Sequence, residues 1–229
     1  MNVIPLITTI VSTVFVVLLI RQFKDRRKIH QLVWTIAMSF YAITAFAEFL
    51  MNPELLGINE SIFRLYYVLA APLVGLLGAG VLFLLVQKKI ANGYLLITII
   101  LSFLLVITGS STPLDQSIFL SSFNSGLGLA LRDATKAFPM SVRIYSIILN
   151  SVGGMILILG ALYSYNKNRS RYYNIFLFLG ALMPSLGGFF FGILENPDVF
   201  LEFELLGTIF LFIGFYLSDI YVRKTQHDD

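Results

Sequence analysis

The stretch from Ile62 to Val86 reads IFRLYYVLAAPLVGLLGAGVLFLLV, and the one before it, Gln31 to Met51, reads QLVWTIAMSFYAITAFAEFLM. Together they hold the chain's only tryptophan, Trp34, with Glu48 inside an apolar span and Arg64 near the start of the next. Runs such as Val81-Leu82-Phe83-Leu84-Leu85-Val86 do not alternate polar with apolar, so these are not the strands of a membrane barrel. As helix, about 20 such residues rise about 30 Å, the thickness of the bilayer's hydrocarbon.

The rest of the chain is of the same kind. Of its 229 residues, 57% are hydrophobic and 13% charged, about half the charged share of a soluble domain. Its mean hydropathy is +0.83. Too little polar surface remains to cover a water-facing globule, and lipid is the alternative solvent. Phe (21) and Tyr (11) are frequent, as suits lipid-facing surfaces and interfaces. The absence of Cys excludes a disulfide framework, a thiolate metal site and a cysteine nucleophile.

Apolar stretches recur at Val3–Ile20, Gln31–Met51, Ile62–Val86, Tyr94–Gly109, Tyr145–Tyr163, Tyr173–Leu194 and Phe200–Ser218. They predict an all-α integral membrane protein, a seven-helix bundle forming one transmembrane domain over residues 1–229. The first stretch follows no basic segment and no small-x-small cleavage site, so it is expected to remain as a helix. Of the 16 Lys and Arg, twelve fall in the segments after stretches one, three, five and seven. Only Arg64, Arg132, Lys136 and Arg143 fall on the other side. Basic loops stay cytoplasmic, which predicts an outside N-terminus and a cytoplasmic C-terminus in the plasma membrane. The long loop, residues 110–142, is then external; a hairpin and an interfacial helix both fit its two apolar segments, Ser117-Ile118-Phe119-Leu120 and Leu127–Leu131.

The halves of the chain echo each other. Phe23-Lys24-Asp25-Arg26 precedes stretch two and Asn166-Lys167-Asn168-Arg169 precedes stretch six. Stretch two ends in Asn52-Pro53-Glu54 and stretch six in Asn196-Pro197-Asp198. Helices 1–3 would align on 5–7, with helix 4 as an inverting linker: a parallel 3+1+3 repeat of the kind found in transporters. Chance competes with this, because basic residues inside and Asn-Pro at a helix stop follow from general rules. The topology resembles the SWEET sugar transporters and, more loosely, the microbial rhodopsins. That resemblance is architectural and rests on no motif of either family, so it implies a fold and not a function.

The chemistry is narrowed mainly by what is missing. His30 and His227 both lie outside the apolar stretches. A bis-histidine haem and a histidine-ligated membrane zinc centre are thereby excluded. No lysine sits mid-span, so a retinal Schiff base is excluded too. No metal, cofactor or catalytic group is expected, and the chain reads as a non-enzyme. An intramembrane enzyme using Glu202 and Glu204 would lack a paired catalytic motif.

The polar residues inside the spans are the site candidates. Trp34, Ala37, Tyr41, Thr44 and Glu48 fall on one helical face. A charge in hydrocarbon costs about 2.5–3.5 kcal/mol on insertion scales and generally faces the bundle interior. Glu48 therefore reads either as a proton or cation site or as a carboxylate paired with Arg64. Arg64, Arg143, Glu195, Glu202 and Glu204 share its level, and a structural clamp of ion pairs competes with a ligand vestibule. Pro72 and Pro184 each remove a backbone hydrogen bond mid-helix, either as a packing kink or as part of a site. With Tyr67 and Asn150, the residues Glu48, Arg64, Pro72, Arg143, Pro184 and Glu204 are the candidates for binding or ion pairing.

The resulting expectation is binding or passage of a small solute, with proton coupling through Glu48, in a cleft between the two triplets. The alternative is a non-catalytic subunit or scaffold of a membrane complex, or a homo-oligomer, using glycine-rich helices 3 and 6 as partner faces. The lipid bilayer is the expected environment, and no nucleic-acid partner is expected. The basic segment Arg21–Lys28 could bind anionic lipid headgroups, but membrane orientation alone explains it.

Overall fold

The computed structural model describes residues 1–57, 59–123, 131, 133–167, 169, 172–194 and 198–225, the side chains at 185, 188, 189, 191–194 and 222–225 excepted. Among these residues are eight α-helices and no strand. Seven are long: α1 (Ile4–Arg26), α2 (Ile29–Leu50), α3 (Glu60–Leu85), α4 (Lys88–Ser111), α5 (Met140–Lys167), α6 (Tyr173–Leu194) and α7 (Asp198–Thr225). The eighth is a short helix, Gln116–Ser122, in the loop between α4 and α5. Six of the long helices are apolar over a length that can cross a membrane; in α6 the apolar stretch found runs Tyr173–Pro184. This is the make-up of a multi-pass membrane protein, with apolar helices in contact with the bilayer.

Most helices outrun their apolar stretch at the ends, because polar residues continue a helix into the interface. The clearest case is α4, which starts at Lys88 rather than Tyr94. Arg27, at φ 53°, ends α1, its N–H bonded to the Phe23 carbonyl at 2.8 Å. Asn59 caps α3 by accepting from the Ile62 N–H at 3.1 Å, satisfying one of the orphan donors of a helix start.

Helices α1, α2, α3, α5, α6 and α7 contact one another in that order, and α7 packs back on α1, so the six close into a ring. Helix α4 lies outside the ring against α3 and α5. Its outer face carries Leu96, Ile97, Ile100 and Phe103, all exposed, a surface suited to lipid. Small residues let the ring close tightly. A Cβ on Gly153 of α5 would stand 2.6 Å from the Val74 carbonyl oxygen of α3, and one on Gly207 of α7 would stand 2.9 Å from that of Gly180 on α6. The glycines of α3 are likewise spent on neighbours within the chain: Gly75 against Thr98 and Leu149, Gly78 against Gly153, and Gly80 against Trp34. Gly180 and Gly187 of α6 pack on α7. These glycines therefore meet the chain's own helices; the surroundings of Gly188 and Gly192 lie outside the described residues.

The long loop folds on itself. A helix, rather than a hairpin, forms at Gln116–Ser122, and a 3-10 turn follows at Thr135–Ala137. Asp115 caps the short helix by accepting from the Ser117 and Ile118 amides at 3.0 and 3.2 Å. Leu114, Phe119, Leu131 and Phe138 of the loop are buried against Met51, Phe63, Tyr67, Leu149 and Leu201. The Tyr67 and Phe138 rings stack at 4.4 Å, and the Phe63 and Phe119 rings lie 5.3 Å apart. The loop is a packed lid over one end of the bundle. Residues 124–130, and with them most of the second loop segment read from the sequence, lie outside the described residues.

Candidate functional site

Inside the ring is a cavity of about 340 Å³. Five helices supply its wall: α2 with Met38, Tyr41 and Thr44; α3 from Tyr66 to Leu77; α5 with Asn150, Gly154 and Leu157; α6 with Gly180, Ala181 and Pro184; and α7 with Phe200, Glu204, Gly207, Thr208 and Leu211. From Tyr66 to Leu77 a helix rises about 16 Å, so the cavity reaches roughly half-way through the hydrocarbon. Most of the wall is apolar, and the polar groups gather toward the end nearest the lid.

The polar end is built on the face of α2 that the sequence marks. Trp34, Ala37, Thr44 and Glu48 are buried on it, with Tyr41 half-buried against the cavity. Glu48 is only 1% exposed. One of its carboxyl oxygens, Oε1, has no hydrogen-bond partner. Tyr66 of α3 stands beside it, and Glu204 acts on it electrostatically from α7. The Tyr41 hydroxyl donates to the Glu204 backbone carbonyl at 3.2 Å and accepts from Thr208 at 2.8 Å. It also stands beside the Glu204 carboxyl. Glu204 lines the cavity directly, and Glu48 sits behind Tyr66. Carboxyl groups from α2 and α7 thus lie within electrostatic reach of each other, each with a tyrosine beside it.

Arg64 is elsewhere. Its guanidinium bonds Glu60 at 2.7 and 2.9 Å, and donates to the carbonyls of Gly109 and Thr112 at 2.6 and 2.8 Å. It lies over the Phe138 ring. It closes the end of α4, where four carbonyls lack helical partners, and it does not neutralise Glu48. Tyr67 joins α3 to α5 through Ser146 at 2.9 Å and is buried under the lid. Arg143 is half-buried at the start of α5, and neither it nor Tyr67 lines the cavity. Pro72 is buried off the cavity wall, while Pro184 lines it. Both α3 and α6 run unbroken through their prolines. Asn150 and Glu204 line the cavity with Pro184. Glu202 is exposed, and Glu195 lies outside the described residues. The candidates therefore divide: Glu48, Asn150, Pro184 and Glu204 belong to the cavity region, and Arg64, Tyr67, Pro72 and Arg143 to the packing around it. Sequence reasoning did not select Tyr41, Thr44, Tyr66 or Thr208 as site residues. For the first two the signal was present, since they continue the face of α2 that carries Glu48.

A second chamber of about 300 Å³ opens at the other end of the ring. Arg26, Lys28, His30, Gln31, Ser164, Asn174 and Asp219 are among its lining residues. Arg26 and Asp219 form an ion pair at 2.6 Å, and Asn174 donates to Ser164 at 3.0 Å. Leu157 borders both chambers. Between them lies an apolar layer that includes Trp34, Leu77, Leu211 and Phe215. The Trp34 and Phe215 rings meet at 4.3 Å.

The chain matches no protein-family model, no curated protein and no solved structure.

Proposed function

We propose that this protein binds a small solute in the central cavity and passes it across the membrane, from the lidded end toward the second chamber. The observation that carries the proposal is the pair of chambers on one bundle axis, separated by a single apolar layer. A cavity of this size, mostly apolar with a few convergent polar groups, is the usual form of a small-molecule site. A solute path across a membrane needs this arrangement: room on both sides of a barrier that closes by side-chain packing.

Topology supports the same proposal. The C-terminal parts of α1, α3, α5 and α7 all contribute to the second chamber, through Arg26, Leu85, Ser164 and Asp219. Four helices pointing the same way require the chain to cross an odd number of times between each and the next, with α4 as the inverting crossing. This supports seven spans, with the basic segments at the second chamber in the cytoplasm and the lid outside. The sequential packing of α1–α2–α3 and of α5–α6–α7 is what a 3+1+3 repeat expects.

The test uses Gly154, where an added Cβ meets nothing nearer than Val74 Cγ1 at 4.0 Å. Gly154→Ala should preserve solute binding, and Gly154→Phe should fill the cavity and abolish it. Amines, alcohols, carboxylates and sugars are screened by thermal shift in lipid nanodiscs. Any class that stabilises the wild type is then assayed by counterflow in proteoliposomes. The proposal fails if no class stabilises the wild type, or if Gly154→Phe responds as the wild type does.

A further inference from the structure

We infer that the solute is an organic cation with an apolar body, its ammonium group held at Glu204 within the field of the buried Glu48, in competition with a proton. This rests on the solute-binding role of the central cavity and gives it a ligand chemistry.

The argument is one of charge. Glu204 lines the cavity, and Glu48, buried behind Tyr66, is close enough to interact with it electrostatically. The titratable groups around them are Tyr41 on α2 and Tyr66 on α3, both neutral hydroxyls. Helix α6 has no ionisable residue beyond Tyr173 at its start. Arg64, the cation nearest along α3, is committed to Glu60 and to the end of α4. The described residues thus bring two acids together and no base. Two carboxylates cannot share a desolvated site without positive charge, and that charge has to come from outside the chain.

Two features favour an organic ammonium as well as a proton. Glu204 lines the cavity directly, so its carboxyl is within reach of an N–H donor there. The rest of the cavity is lined by Met38, Leu73, Val74, Leu77, Leu157 and Leu211, which would accommodate hydrocarbon and leave a fully hydrated metal ion unsatisfied. An acidic head and an apolar body define an amphiphilic cation. Carboxylate solutes are repelled, and neutral solutes leave the pair needing its proton. Because cation and proton compensate the same charge, binding one releases the other.

The experiment uses a matched set of probes on the full-length protein in nanodiscs: cyclohexylammonium, cyclohexanol and cyclohexanecarboxylate, titrated calorimetrically at pH 6, 7 and 8. The ammonium should bind about ten- to a hundredfold more tightly than the alcohol, the range of a hydrogen bond to a charged group. The carboxylate should not bind. Affinity for the ammonium should rise with pH by up to about tenfold per unit, the limit for one proton displaced. Glu204→Gln, which keeps the side-chain shape, should flatten the pH dependence and erase the preference over cyclohexanol, and Glu48→Gln should weaken both. The charge series and pH profile of the wild type carry the test if either variant misfolds. Equal binding of cyclohexanol, lost in Gly154→Phe, would overturn the inference and leave the solute cavity standing. Binding of no probe would count against both.

Discussion

The Trp34 indole N–H donates to the backbone carbonyl of Leu77 at 3.1 Å, pinning a ring of α2 across α3 between the two chambers. Gly80, one turn further along α3, makes room for it: a Cβ there would stand 2.0 Å from the indole nitrogen. The seat of the indole in the apolar layer is thus set by one hydrogen bond and one missing side chain.

Replacing Gly80 with Ala should displace the indole and destabilise the fold by about 1–3 kcal/mol, the usual cost of overpacking. Trp34 is the only tryptophan, so its emission reports the shift directly. Unchanged emission and an unchanged melting temperature would contradict the assigned packing. Trp34→Phe keeps an aromatic ring but loses the donor, and should cost about 0.5–1.5 kcal/mol for the hydrogen bond alone, read by far-ultraviolet circular dichroism on heating.

The adjacent glycines Gly153 and Gly154 should respond in opposite directions to alanine. At Gly153 the new carbon meets the Val74 carbonyl oxygen at 2.6 Å, and backbone cannot move aside as a side chain can. Separating α3 from α5 should cost about 1–3 kcal/mol. At Gly154 the space is open and alanine is the better helix former, so the change should be neutral or stabilising by up to about 1 kcal/mol. Melting curves of both variants in one detergent provide the comparison.

Arg64→Met removes the guanidinium that closes α4 while keeping much of the apolar stem. Two carbonyl contacts, at Gly109 and Thr112, lose a charged donor, which should destabilise by about 1.5–3 kcal/mol. Hydrogen exchange should quicken at the C-terminal turn of α4 and in the lid before it does in α6 or α7. Equal acceleration throughout the bundle would argue against a local capping role.

Asp115 is exposed in the lid, and its carboxyl is held below the usual aspartate range by the Ser117 hydroxyl and then by the Ile118 amide. A lowered value in the folded lid means that the cap is present above the ordinary aspartate value and is lost as pH falls through the lowered one. Protection of the Ser117 and Ile118 amides, corrected for intrinsic exchange, should therefore decline below about pH 4. Asp115→Asn caps without ionising and should remove the decline.

The amino-acid sequence by itself determined the solvent, the helices and the buried face of α2. Lipid is dictated by composition, and a helix in lipid must satisfy its own backbone, so long apolar runs are enough to place it. The periodicity through Trp34, Ala37, Tyr41, Thr44 and Glu48 is a property of one helix and needs no partner to be read. Tertiary structure alone decided what meets that face. Arg64 and Glu204 were both candidates near the level of Glu48; Arg64 proved to serve α4, and Glu204 came within electrostatic reach of Glu48. A partner is set by the rotation and order of packed helices, which depend on close approaches such as Gly153 on Val74 and Gly207 on Gly180. Those contacts lie between residues distant in the chain, and no local pattern encodes them. The same holds for the lid, where Asp115 starts a helix locally but only packing on Phe63 and Tyr67 keeps it in place.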